Sequence, residues 1–234
     1  MPSEHEPAPA KCPAATTSEL NNLLQIISGT VSLIEDLSRG NEVAKQYFEM
    51  LHESIGRAKK ITAEFAEQAG GAPGQVQIHP LLSVRREAKT AAPIRSNPSI
   101  AIVDDEPMAA MLMKRTLTNA GFQATTVRSG FECLDLLRRK PREFDLIIID
   151  LTMPFMDGEE TFGRIRDINA NVPVVIATGF IEHQQLDRLL SSGLSAFLHK
   201  PHGPDELLSC VRNILADSNL LRRRNPVGPV TASL

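Results

Sequence analysis

Four short apolar runs in this chain each end on a residue able to handle a phosphoryl group or a metal ion. Ile100 to Val103 are followed by Asp104-Asp105-Glu106, and Leu146 to Ile149 by Asp150. Val172 to Ala177 are followed by Thr178, and Ala196 to His199 by Lys200. Gathered on one edge, Asp104, Asp105 and Asp150 would repel one another strongly. A hard divalent cation with oxygen ligands offsets that repulsion, and Mg²⁺ typically keeps waters and takes one or two carboxylates plus phosphate oxygens. Lys200 adds a second positive charge for phosphoryl oxygens, and the Thr178 hydroxyl adds a hydrogen-bond donor. The chemistry this set can perform is in-line phosphoryl transfer to a carboxylate nucleophile, Asp150. One Asp after a strand is ordinarily a helix cap or a solvated side chain, and one Lys-Pro is ordinarily a turn. Four successive strand ends with matching chemistry are not explained that way.

The elements that must position these residues follow from periodicity. Strands are predicted at Ser99–Val103, Phe122–Val127, Asp145–Ile149, Val172–Ala177 and Ala196–His199. Between and after them, helices are predicted at Met108–Ala120, Ser129–Arg139, Glu159–Ile168, Ile181–Ser192 and Pro204–Ala216, with Gly121 and Gly193 as stops. The strands read as continuous apolar runs, as expected for a parallel sheet covered on both faces. Strict alternation of five strands and five helices predicts an α/β, doubly wound parallel sheet. Ligands of such sheets bind at the carboxyl ends of the strands, near the switch in strand order.

Residues 99 to 219 resemble the response-regulator receiver domain of two-component signalling. The resemblance rests on Ile102-Val-Asp-Asp-Glu-Pro107, Asp150-Leu-Thr-Met-Pro-Phe-Met-Asp-Gly158, Ala177-Thr-Gly-Phe180 and Phe197-Leu-His-Lys-Pro201. It implies a flavodoxin-like sheet of order 2-1-3-4-5 and makes Asp150 the phosphoacceptor. It implies Mg²⁺ (or Mn²⁺) bound directly by Asp105, Asp150 and the backbone carbonyl of Thr152, with Asp104 acting through water. Lys200 then pairs with Asp150 and with its phosphoryl group, Thr178 closes on a phosphoryl oxygen, and Phe197 turns inward with it. A cis peptide before Pro201 is implied as well. His202 departs from the apolar residue many members carry there, and is expected to be packed or solvated.

Upstream, composition separates a Pro/Ala-rich stretch (1–16, expected to be disordered), a helical pair (17–69) and a linker (70–97) rich in Pro and Gly. The receiver-like segment (98–219) and a tail (220–234) with Arg222-Arg223-Arg224 follow. Ser18 is expected to cap the first helix. Leu20, Leu24, Ile27, Val31 and Ile34 form a 4-3 seam, and Ala44, Phe48, Leu51, Ile55, Ala58, Thr62 and Phe65 a second. Two helices cannot bury such faces alone, which predicts a homodimer through residues 18–67 in a four-helix bundle. Leu20-Asn-Asn-Leu-Leu24 and Ile55-Gly-Arg-Ala58 resemble the helical hairpin that serves hybrid histidine kinases for dimerisation and phosphotransfer. That resemblance places Ser18 where the phosphorylated His would stand. The segment before residue 98 has no room for the ATP-binding domain.

Composition adds boundaries. The chain has 234 residues and a net charge of -3, with no Trp and one Tyr, so neither whole-surface attraction to nucleic acid nor base-stacking platforms are expected. Its three cysteines, Cys12, Cys133 and Cys210, have no metal or disulfide spacing. No signal peptide or membrane span is expected, so the protein is expected in the cytoplasm. The residues after the last helix leave no room for a DNA-binding helix-turn-helix. The expected function is two-component or phosphorelay signalling. A partner histidine kinase donates the phosphoryl group, a downstream protein receives the signal, and the chain has no kinase or ATPase activity of its own. The alternatives are a non-catalytic scaffold or decoy of a histidine kinase pathway, and a metal-dependent phosphatase. The phosphatase is disfavoured because Thr152 stands where such enzymes place a second Asp.

Overall fold

The computed structural model describes residues 13–38, 41–68, 77–78 and 97–224. Two helices, α1 (Pro13–Leu37) and α2 (Glu42–Gln68), form an N-terminal hairpin. A short strand β1 (Gln77–Ile78) precedes the βα series: β2 (Ser99–Val103), α3 (Pro107–Asn119), β3 (Gln123–Val127), α4 (Gly130–Arg139), β4 (Leu146–Asp150), α5 (Gly158–Ile168), β5 (Val174–Thr178), α6 (His183–Ser191), β6 (Ala196–His199) and α7 (Pro204–Arg224).

The sheet order is β1-β6-β5-β4-β2-β3. Its five parallel strands take the 2-1-3-4-5 order of a doubly wound sheet. β1 adds an antiparallel sixth strand on the outer edge of β6, inside the stretch expected to be only a linker. Two residues are too few to show a period of two in sequence. Alternate strand residues face opposite ways. Ala101, Val103, Ile147, Ile149, Val174, Ile176 and Phe197 pack with α4, α5 and α6. Ile100, Ile102, Leu146, Ile148, Val175, Ala177, Ala196 and Leu198 pack with α3 and α7. Both faces are therefore covered, which is why the strands read as unbroken apolar runs.

Local chemistry sets the helix starts. The Glu106 side chain accepts from the Met108 N–H and Pro107 occupies the first turn of α3. Ser129 and Asp157 cap α4 and α5 in the same way. The hairpin differs from expectation at its start. α1 begins at Pro13, a residue suited to a first helical position, so residues 13–16 are helical. Ser18 is consequently inside the helix and does not cap it. Residues 1–12, most of the linker and 225–234 lie outside the described residues. At the other end α7 runs on to Arg224. No Pro or Gly interrupts the chain between Pro204 and Arg224, so nothing stops the helix after Ala216. No described helix is long and apolar enough to cross a membrane.

The two seams are used unequally. Leu24, Val31, Phe48 and Ile55 are buried, and Val31, Phe48 and Ile55 form a small core with Ala44. Leu20, Leu23, Ile27, Ile34, Tyr47, Met50, Leu51, Ile61 and Phe65 remain exposed.

Gly158 shows how tightly the fold holds the end of β4. A Cβ there would stand 2.5 Å from the Asp150 carbonyl oxygen and 2.7 Å from Leu151 Cα, both backbone atoms that cannot rotate away. Gly158→Ala is expected to destabilise the protein by about 1–3 kcal/mol, the usual range for overpacking. Thermal denaturation followed by circular dichroism would measure it, and an unchanged midpoint would contradict it.

Candidate functional site

The carboxyl edge of the sheet brings the strand-end residues together through register. Val103 pairs with Ile149, Asp150 with Ala177, and Thr178 with His199. Asp104 and Lys200 therefore start their loops level with Asp150 and Thr178. Carboxylate oxygens of Asp104, Asp105 and Asp150 lie within 4.8 Å of one another. The Lys200 ammonium sits 2.8 Å from Asp104 Oδ2 and 3.1 Å from Asp150 Oδ2. Lys200 and Asp104 are fully buried and Asp150 nearly so. Asp104 Oδ1 accepts from the Glu106 N–H at 2.9 Å, and Asp150 Oδ1 from the Thr152 N–H at 3.3 Å. Asp105 is the partly exposed member of the trio.

Burial raises the Asp150 carboxyl to about 6. Lys200 opposes the shift and Asp104 adds to it. Asp105 is also raised, first by burial and then by the Asp104 charge. Burial alone would lower Lys200, but Asp150 and Asp104 outweigh it and hold the ammonium above its ordinary value. Asp150 Oδ2 is buried and has no well-directed hydrogen bond, although the ammonium lies beside it. An unsatisfied carboxylate oxygen within a cluster of three acids fits a divalent cation with oxygen ligands.

The remaining expected residues surround this centre. Thr178 is fully buried and its hydroxyl donates to the Phe180 carbonyl at 3.0 Å. Phe197 is fully buried, with His199 edge-on at 6.2 Å between ring centroids. The Lys200–Pro201 peptide is cis. Thr152 is exposed, beside Ser18, whose Oγ lies 3.2 Å from Thr152 Oγ1. Phe155, in the same loop, is 97% exposed at a φ of 68°, a left-handed conformation that side chains disfavour.

Sequence reasoning missed a second layer of contacts. The Asn21 amide donates to the Gly179 carbonyl at 2.6 Å. Gln25 Oε1 accepts from the His202 N–H at 2.7 Å, and Gln25 Nε2 stands 3.5 Å from His202 Nδ1. His202 is packed, and burial followed by the Lys200 charge lowers its pKa to about 3. Helix α1 thus touches the loops after β4, β5 and β6. The one local signal was the stripe Ser18, Asn21, Gln25 and Gly29, polar or small along one side of an otherwise apolar helix.

Residues 100–212 match the response regulator receiver domain family, and this segment is a receiver domain. The chain is 36% identical over 129 residues to the transcriptional regulatory protein BaeR of Escherichia coli O6:H1, covering 54% of this chain and 52% of that protein. It is 33% identical over 119 residues to the transcriptional regulatory protein GlrR of E. coli K12, covering 51% of this chain and 26% of that protein. The match therefore spans about half or less of these relatives' lengths. A signal receiver domain from Vibrio parahaemolyticus superposes with a TM-score of 0.52 at 26% identity, over 56% of this chain and 99% of that one. The CheY-like receiver domain protein of Methanospirillum hungatei gives 0.50 at 23% identity, over 54% of this chain and 99% of that one, and shows the fold. The receiver segment is thus homologous to response regulators of two-component signalling.

The raised Asp150 carboxyl makes metal-free stability depend on pH. Its folded value of about 6 lies above the ordinary 3.8, so this group's contribution is fully present below about 3.8 and lost as pH rises through about 6. With a chelator present, Asp150→Asn is expected to match the native protein near pH 4 and to melt about 2–6 °C higher at pH 7.5. Equal melting temperatures at pH 7.5 would show that the carboxylate is not strained by its burial.

Proposed function

We propose that the protein accepts a phosphoryl group on Asp150 from a phosphohistidine of a partner histidine kinase and signals through protein–protein contacts. The observation that carries this is the buried Lys200 ammonium, held within 2.8 Å of Asp104 and 3.1 Å of Asp150 at the carboxyl edge of the sheet. In the transfer the bond from phosphorus to the donor imidazole breaks as one to an Asp150 oxygen forms. Lys200 holds the acceptor carboxylate and then the phosphoryl oxygens. Thr178 closes on a phosphoryl oxygen, and the Phe197 ring completes the packed state behind it. Asp105, Asp150 and the Thr152 carbonyl would hold Mg²⁺ or Mn²⁺ directly, with Asp104 acting through water. That ion supplies charge neutralisation between the carboxylate and the incoming phosphoryl group.

The exposed apolar face of the hairpin supports self-association. Ile27, Ile34, Met50, Ile61 and Phe65 are between 47% and 64% exposed, a surface that pairing of two hairpins into a four-helix bundle would cover. This hairpin is read as a relative of kinase dimerisation helices, with Ser18 at the place of the phosphorylated His.

Two outcomes are expected. Incubation with Mg²⁺ and acetyl phosphate should make the intact protein about 80 Da heavier per phosphoryl group, and Asp150→Ala should abolish the gain. An adduct that survives Asp150→Ala would contradict the assignment. Sedimentation velocity at micromolar concentration should give a dimer, and Ile27→Glu with Ile61→Glu should shift it to a monomer. A monomeric native protein would contradict the bundle.

A further inference from the structure

The α1 stripe does not merely touch the receiver. It lies across the edge where Asp150 is reached. Ser18, Asn21 and Gln25 contact Thr152, Gly179 and His202, in the loops after β4, β5 and β6. Thr17, Ser18, Asn21 and Gln25 are all buried, although three to four polar residues along an isolated hairpin would face water. One helical turn further, α1 meets α3. A Cβ on Gly29 would stand 2.5 Å from a Leu112 methyl, and one on Gly179 would stand 2.5 Å from Asn21 Cβ. Gly179 has no left-handed φ. What stands close to its missing side chain is α1.

The spacing 18, 21, 25, 29 is one stripe of a single helix. The structure therefore shows what this edge accepts: a helix with a small polar residue, two carboxamides and a glycine along one side. We propose that α1 occupies this edge in cis as a cap that must leave before a phosphoryl donor reaches Asp150. The proposal rests on Asp150 being the acceptor. Ser18 Oγ lies 3.2 Å from Thr152 Oγ1 in the loop that follows Asp150, so α1 fills the space beside that loop. The cap is held by these polar contacts and by the close approach of Gly29 to Leu112, and its release frees Asn21, Gln25 and His202 to water, where their hydrogen bonds are replaced.

The same contacts link the cap to the state of the site. Gly179 follows Thr178, and His202 follows Lys200 by two residues. A phosphoryl group that draws Thr178 and Lys200 inward pulls the very carbonyl and N–H that α1 holds. Occupancy of the site and docking of α1 then oppose each other, and by linkage each weakens the other equally.

The test uses the full chain and two releasing variants outside the phosphoryl site, Gly29→Leu and the pair Asn21→Ala/Gln25→Ala. The first readout is the rate of acetyl phosphate labelling with Mg²⁺, followed by intact mass. Release should accelerate it about tenfold in Asn21→Ala/Gln25→Ala, the effect of losing one or two net hydrogen bonds, and in the same direction in Gly29→Leu, whose side chain has no room against Leu112. The second readout is amide hydrogen exchange in residues 18–29, with and without beryllofluoride and Mg²⁺ as a phosphoryl mimic. Filling the site should speed exchange there in the native protein, while the variants exchange fast in both states. Labelling at equal or lower rates in both variants, or exchange in 18–29 that ignores a filled site, would overturn the cap and leave the phosphoacceptor assignment standing. If no variant acquires an adduct, the acceptor assignment fails and takes the cap with it.

Discussion

A fully buried ammonium between two buried carboxylates is the constraint on which the rest of this structure turns. Removing three charges from water costs several kcal/mol each, and only close geometry and further hydrogen bonds offset it. Lys200, Asp104 and Asp150 meet that demand because β2, β4 and β6 end level with one another, a consequence of parallel register. A shift of one residue in any of these strands would turn its terminal group to the opposite face. The two apolar cores, one on each face of the sheet, hold that register. The arrangement is not electrically closed. With Asp105 included, three carboxylates face one ammonium, a formal excess of two negative charges when all are ionised. Burial first of all raises the Asp150 and Asp105 carboxyls, with the Asp104 charge adding to it, and a divalent cation would offset both.

The hairpin presents two surfaces of different chemistry. Towards the receiver it presents Ser18, Asn21 and Gln25, and away from it an exposed apolar row. A hydrogen bond exchanged with water is worth about 0.5–1.5 kcal/mol net, so a polar contact of three or four bonds is easily reversed. Apolar area once buried between helices is not, at about 25 cal/mol per Å².

The site was legible because its residues are neighbours of their strands in sequence. A parallel strand buried on both faces is a continuous apolar run, and the residue after it is at the carboxyl edge by construction. Asp104, Asp150, Thr178 and Lys200 needed no long-range information. The α1 contacts did: Ser18 and Thr152 are 134 positions apart, and Gln25 and His202 are 177 apart. Ser18 also carried a misleading local signal. A Ser just before an apolar periodic run is an ordinary N-cap, but Pro13 starts the helix more than a turn earlier and frees the Ser18 hydroxyl for Thr152. β1 and the extension of α7 to Arg224 were hidden for simpler reasons. Two residues have no period, and a polar helix end looks like a tail.

His202 shows how the two halves of the protein depend on each other. A histidine in a solvated loop would be expected to titrate near its ordinary value in water. Here it is buried beneath Gln25, close to the Lys200 charge, and kept neutral. A protonated ring would be repelled by the Lys200 ammonium and would lose its place under α1. The ammonium that pairs with Asp104 and Asp150 thus also favours the neutral, packed form of the residue against which the helix rests. Helix α1 is joined to the acidic cluster through the loop that carries Lys200, by the hydrogen bond from the His202 N–H to Gln25.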